Sequence, residues 1–119
     1  MKTIVAGSRE CQSPKVVKEA MMGCDWDISE VVSGTARGVD QLGEAVAKSL
    51  GLPVARFPAD WATLGKRAGY VRNEQMADYA QALCAIWDGK SAGTKNMIEI
   101  ATRKGLKVHV VVYMDGIPS

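Results

Sequence analysis

The sequence predicts an α/β protein: a doubly wound, parallel, five-stranded sheet with helices on both faces. Three observations carry this. Short runs of apolar, β-branched residues alternate strictly with longer amphipathic patterns. The first, second and fourth runs end in turns rich in Gly, Ser or Thr that open into the next helix. Three of the four helical patterns stop at a glycine: Gly23, Gly51 and Gly105. Strict alternation requires crossover connections, which make neighbouring strands parallel and cover both faces. Right-handed crossovers then favour the order 3-2-1-4-5, with ligands beyond the carboxyl ends of the strands where strands one and four meet.

Lys2 to Ala6 is β-branched and apolar and meets Gly7-Ser8-Arg9, so it reads as a buried strand. Ser13-Pro14 starts the first helix, Ser as cap and Pro in the first turn, with Val16, Val17, Ala20 and Met21 on one apolar face. The second strand is expected over 28–32 and the second helix over 39–50, stopped by Gly51-Leu52-Pro53. Val54 to Phe57 reads as the third strand, Pro58 to Gly69 as a loop containing Trp61, and Val71 to Tyr79 as the third helix. Ala82 to Trp87 is the fourth strand and Asp88 to Gly93 a loop. Gly93-Thr94 opens the fourth helix, which ends near Lys104-Gly105. Lys107 to Val112 is the fifth strand, and a tail follows from Asp115. One Rossmann-like domain over residues 1–119 accounts for all of this, with no internal repeat or linker.

The 119 residues suffice for one core without staples. A composition of 47% hydrophobic and 24% charged residues is that of a folded chain. Fifteen Lys and Arg against thirteen Asp and Glu give +2, too balanced to announce a nucleic-acid partner. Cys11, Cys24 and Cys84 lie far apart without ligand spacing, so neither a disulfide framework nor a zinc site is expected, and a reducing cytoplasm is the expected home. No cofactor is expected. No stretch reaches membrane-spanning length, so no membrane partner is expected.

Ser33-Gly34-Thr35-Ala36-Arg37-Gly38-Val39-Asp40 carries the chemistry. A strand that turns through small residues into a helix leaves backbone N–H groups unpaired beside the positive end of the helix dipole. Gly34 and Gly38 allow close approach of a ligand, Ser33 and Thr35 add hydroxyls, and Arg37 adds a planar fork for phosphate or carboxylate. Such a turn also fits a plain strand–helix connection with a good cap. Two further turns favour the anion reading: Gly7-Ser8-Arg9, and Asp88-Gly89 through Gly93-Thr94 with Lys90 and Lys95. Lys66, Arg67 and Arg72 add charge after the third strand, and Asp40, Asp88 and Glu10 could accept hydrogen bonds from ribose hydroxyls. Turns at the opposite edge of the sheet show no comparable Ser and Thr enrichment. A nucleotide-type small molecule is the economical ligand. Neither Gly-x-Gly-x-x-Gly after the first strand nor a phosphate loop ending in Gly-Lys-Ser/Thr is present, which disfavours dinucleotide binding and motor-type hydrolysis.

Four stretches together resemble the SLOG superfamily, which joins the DNA-processing protein DprA/Smf and the Lonely Guy phosphoribohydrolases. They are Ala6-Gly7-Ser8-Arg9, Ser33 to Asp40, Arg72-Asn73-Glu74-Gln75-Met76 and Gly93-Thr94. The second is close to the Ser-Gly-x-Ala-Arg-Gly-Ile-Asp signature of the DprA branch. With Ala59-Asp60-Trp61 and Gly69-Tyr70-Val71-Arg72-Asn73 the set is most similar to the small stand-alone YspA-type branch, from Met1 to about Val112. The resemblance implies a Rossmann-like domain that binds nucleotides or nucleotide-derived signals, ADP-ribose-type molecules among them. It also implies a homo-oligomer, for which Val71, Met76 and Ala80 are candidate contacts if the core does not need them.

Lonely Guy enzymes use an Arg-Lys-x-x-Met stretch and a Gly-Gly-x-Gly-Thr-x-x-Glu loop whose Glu assists loss of the base. Arg72 and Met76 match the first, but Asn73 stands for the Lys. Met97 occupies the Glu position, Lys90 and Ser91 replace the opening glycines, and Glu99 lies about 200° further around the helix. Methionine cannot transfer a proton, so the balance tilts from enzyme to binding module; if the chain is an enzyme, Arg72 is its candidate catalytic residue. The first reading is therefore a binder that senses or sequesters a cyclic-nucleotide or ADP-ribose-type signal, as in a phage–host contest. A phosphoribohydrolase acting on nucleoside monophosphates is the alternative. DprA-like binding of single-stranded DNA ranks last, because aromatic residues are only 6% of the chain.

Among single residues, Arg37 reads either as a phosphate clamp or as the exposed partner of Asp40. Trp61 and Tyr70 suit stacking on a base or packing under the long loop. Trp87 suits core or pocket wall, and His109 a packed or edge position rather than catalysis. The methionines look like core filler, and Arg103-Lys104 complements a helix dipole.

Overall fold

The structure, a computed structural model, describes residues 1–113. Five parallel strands, β1 (Lys2–Gly7), β2 (Glu30–Ser33), β3 (Val54–Arg56), β4 (Ala82–Trp87) and β5 (Lys107–Val112), form one sheet in the order β3-β2-β1-β4-β5. That is the doubly wound order expected from the sequence. Register aligns Ile4 with Val32 on one side and with Leu83 on the other. The expected tail from Asp115 lies outside the described residues.

Alternation along each strand explains why both faces need cover. Ile4, Ala6, Val32, Leu83 and Ala85 face α4 (Ala68–Tyr79) and α5 (Ala92–Arg103), burying Met76, Ala77, Met97 and Ile100. Val5, Val31, Cys84 and Ile86 face α1 (Pro14–Met22) and α2 (Val39–Ser49), burying Val17, Met21, Val39 and Val46. Each of the larger side chains contributes roughly 1.5–3 kcal/mol by leaving water. Ser13 caps α1 as expected, its Oγ accepting from the Val16 N–H at 3.3 Å ahead of Pro14.

Three expectations need correction. Residues 58–69 are not all loop: α3 (Trp61–Leu64) and a 3-10 turn (Gly65–Arg67) fill the segment, and α4 begins at Ala68 rather than Val71. Asp60 starts α3 by accepting from the Thr63 N–H at 3.2 Å. Met76 and Ala80 are buried in the core, so neither is free to form a contact between copies. Arg103 and Lys104 do more than complement a dipole, because they pair with Glu74 and Asp78 of α4. Among the described residues, no helix is long and apolar enough to cross a membrane.

Candidate functional site

The carboxyl ends of β1, β2 and β4 meet backbone against backbone. A Cβ on Gly7 would lie 1.9 Å from the carbonyl oxygen of Ile86, and one on Gly38 would lie 2.3 Å from that of Ser8. Gly38 also has φ +79°, a conformation that side chains disfavour. The Ser8 N–H donates to Ile86 and the Ser8 carbonyl accepts from Val39, both at 3.1 Å, so the first bend is wedged between β4 and the start of α2. Gly7 and Gly38 are thus required by the chain crossing itself.

In the bend after β2, the Ser33 hydroxyl accepts from the Thr35 N–H at 3.1 Å and donates to Glu44 at 2.6 Å. Glu44 in turn holds Arg56 of β3 at 2.7 Å. The Ala36 N–H donates to the Asp40 carboxylate at 3.2 Å, reaching back from the first turn of α2. Arg37 is not the partner of Asp40: it pairs with Glu10 at 2.9 Å, and both side chains are about two-thirds exposed, which limits what the pair contributes.

Helix α4 brings the strongest cation to this bend. Arg72 is only 9% exposed; its Nη1 donates to the Gly34 carbonyl and its Nε to Asn73 Oδ1 at 3.1 Å. Asn73 then donates to the Gly93 carbonyl at 3.3 Å and to Asn96 at 3.0 Å, tying α4 to the start of α5. Burial lowers the Arg72 pKa and the charge of Asp40 opposes that shift. Asp40 is 6% exposed and its carboxyl is pushed up to about 6, chiefly by burial, against the pull of Arg72, the Ala36 N–H and Arg9.

Two adjoining spaces open at these bends. The outer cleft, about 430 Å³, is walled by Arg9, Gly34, Thr35, Ala36, Arg37 and Arg72, with Pro58, Ala59 and Trp61 opposite. The inner pocket, about 50 Å³, shares Arg9, Ala36 and Arg72 and adds Gly7, Asp40, Asn73, Gly93 and Thr94. All three bends therefore border the inner pocket. Ser8, Ser33 and Gly38 stand behind it and hold the bends together. Asp88 and Gly89 border neither space: Asp88 accepts from the Lys90 and Ser91 N–H groups at 2.8 and 2.7 Å, which lowers its pKa and turns the chain.

Several lining residues are not among the expected ligand contacts. Ala6, Met76 and Met97, which the resemblance already draws into its motifs, form the apolar side of the inner pocket, where the β-α register places them. Pro58 and Ala59 reach the cleft because α3 folds the preceding segment over it; Trp61 beside them is 51% exposed. Among the described residues, no group of three His, Cys, Asp or Glu side chains is placed to hold a metal ion.

No protein-family model matches the chain, and no solved structure matches it significantly. Over 84 residues it is 31% identical to the Gene 61 protein of Mycobacterium phage D29, an alignment covering 66% of this chain and 67% of that protein. The chain belongs to the same family as that phage protein.

Proposed function

We propose that the chain is a SLOG-type domain that binds a nucleotide-derived small molecule, with ADP-ribose-type and cyclic-nucleotide signals as the ligand class. The observation that carries this reading is the inner pocket, bordered by all three strand-to-helix bends and by two arginines, Arg9 and Arg72. Small residues, backbone groups and guanidinium forks suit a phosphate, and the outer cleft with Trp61 and Arg37 has room for a ribose and a base. Met97 on the pocket wall favours binding over glycosidic cleavage, since a thioether moves no proton.

Calorimetric titration and thermal shift with AMP, ADP-ribose and 3′,5′-cyclic AMP test the reading. Saturating ligand raises the melting temperature according to the ratio of its concentration to Kd. Absence of both heat and shift with all three overturns it. Release of free base from a nucleoside monophosphate would replace binding by hydrolysis.

A further inference from the structure

Asp40 is an acid placed where an anion binder has least use for one. Its side chain borders the inner pocket together with Arg9 and Arg72 and is almost wholly withdrawn from water. Oδ2 accepts one backbone N–H, from Ala36 at 3.2 Å. Among the described residues, no Lys, Arg or His nitrogen lies within ion-pair distance of it; Arg72 spends its contacts on Gly34 and Asn73. The charged groups that face Asp40 are Arg72 on α4, Arg9 after β1 and Glu44 one turn along α2. A carboxylate this dry, with one amide for company, does not stay ionised beside an incoming negative charge.

On the reading that this site takes a nucleotide-derived anion, we infer that Asp40 is its proton-linked specificity residue: an anionic group enters the inner pocket together with a proton on the Asp40 carboxyl. The protonated acid turns from a repelling charge into a hydrogen-bond donor toward the ligand oxygen. Arg9 and Arg72 then face the anion without an opposing charge. In the free protein the carboxyl titrates at about 6, so near neutral pH the proton is drawn from solvent on binding. By linkage, every pKa unit gained by Asp40 on binding is a tenfold gain in affinity on acidification.

ADP-ribose is the probe, because its diphosphate bridge, unlike the monoester of AMP, does not titrate near neutrality. Titrations near pH 7 in two buffers of different ionisation enthalpy should show net proton uptake, up to one per site. Affinity should rise on going from about pH 8 to about pH 6 by up to tenfold per pH unit, then level off below the free carboxyl's own pKa. Asp40→Asn should bind with an affinity independent of pH over that range. Independently of that variant, the Asp40 carboxyl ¹³C signal of the unmodified protein should titrate at least one unit higher with ADP-ribose bound. Binding without proton uptake, with a pH-independent Kd and an unmoved Asp40 signal, overturns this inference and leaves the nucleotide reading standing. Should ADP-ribose not bind, 3′,5′-cyclic AMP, whose phosphodiester likewise does not titrate near neutrality, replaces it as the probe; failure of AMP, ADP-ribose and cyclic AMP alike at every pH overturns both.

Discussion

The guanidinium of Arg72, on α4, donates to the carbonyl of Gly34, at the end of β2, so one hydrogen bond joins the helix to the bend that walls the cleft. There is no slack at this point: a Cβ on Gly34 would lie 2.6 Å from Arg72 Nη1 and 2.8 Å from Asp40 Oδ2. Gly34→Ala should therefore displace both side chains. The expected cost is about 1–3 kcal/mol in stability, read by urea denaturation, and at least a tenfold loss in ADP-ribose affinity. An unchanged Kd would place the ligand elsewhere.

Arg72→Lys keeps the charge but not the fork. Lysine cannot serve the Gly34 carbonyl and Asn73 Oδ1 in the same planar geometry. The variant should lose roughly 1–2 kcal/mol of stability and bind ligand about tenfold or more weakly by calorimetry. Arg72→Ala should be worse on both counts.

The buried Asp40 carboxyl makes stability depend on pH in an unusual direction for an acid. Its folded value of about 6 lies above the ordinary 3.8, so the folded state holds the proton more tightly than the unfolded chain does. That contribution is complete below about pH 4 and is lost as pH rises through about 6, amounting to roughly 3 kcal/mol. Asp40→Asn should remove this component, leaving the variant more stable than the parent near pH 7.5 and similar near pH 4. Melting temperatures across that range check it.

Gly7→Ala probes the chain crossing rather than the ligand. Its Cβ would meet the Ile86 carbonyl, a backbone atom in the central sheet that cannot turn aside. A loss above roughly 3 kcal/mol is expected, visible as a collapse of the urea midpoint or of soluble yield. A mild effect would mean that β1 and β4 part more easily than their register implies.

Trp61→Ala separates binding from folding in the opposite sense. The ring is half exposed, so stability should change by no more than about 0.5 kcal/mol. Affinity for a base-bearing ligand should fall by about 1–3 kcal/mol if the ring stacks on the base. Ribose 5-phosphate, which has no base, should bind parent and variant alike.

The strands were legible because their signals are strong and local. Ala82–Trp87 and Lys107–Val112 match the sequence expectation residue for residue, the first bounded by Gln81 and Asp88. The convergence of three bends followed from strand order, which alternation and crossover handedness determine. Helix α3 was illegible: four residues with no buried member present no apolar period, and only Asp60 three positions before Thr63 marks its start. The start of α4 was hidden by Gly69, read as a loop residue, whereas there a Cβ would touch the Trp61 ring at 3.4 Å. Asp88 and Gly89 resemble a phosphate turn in composition, yet the carboxylate is consumed by the backbone N–H groups of Lys90 and Ser91. Burial of Asp40 and Arg72 together is a tertiary fact that no spacing announces.

The interlock of Gly7 and Gly38 with neighbouring carbonyls divides the cleft into halves of unequal hardness. Its sheet-side wall is as incompressible as the barrel of a lock, since any yielding there would shear β1 from β4. The wall opposite, from Pro58 to Trp61, leans on a single helical turn without a buried residue. Evolutionary retuning toward a differently shaped signal would accordingly accumulate along Pro58–Arg67, while the bends stayed fixed.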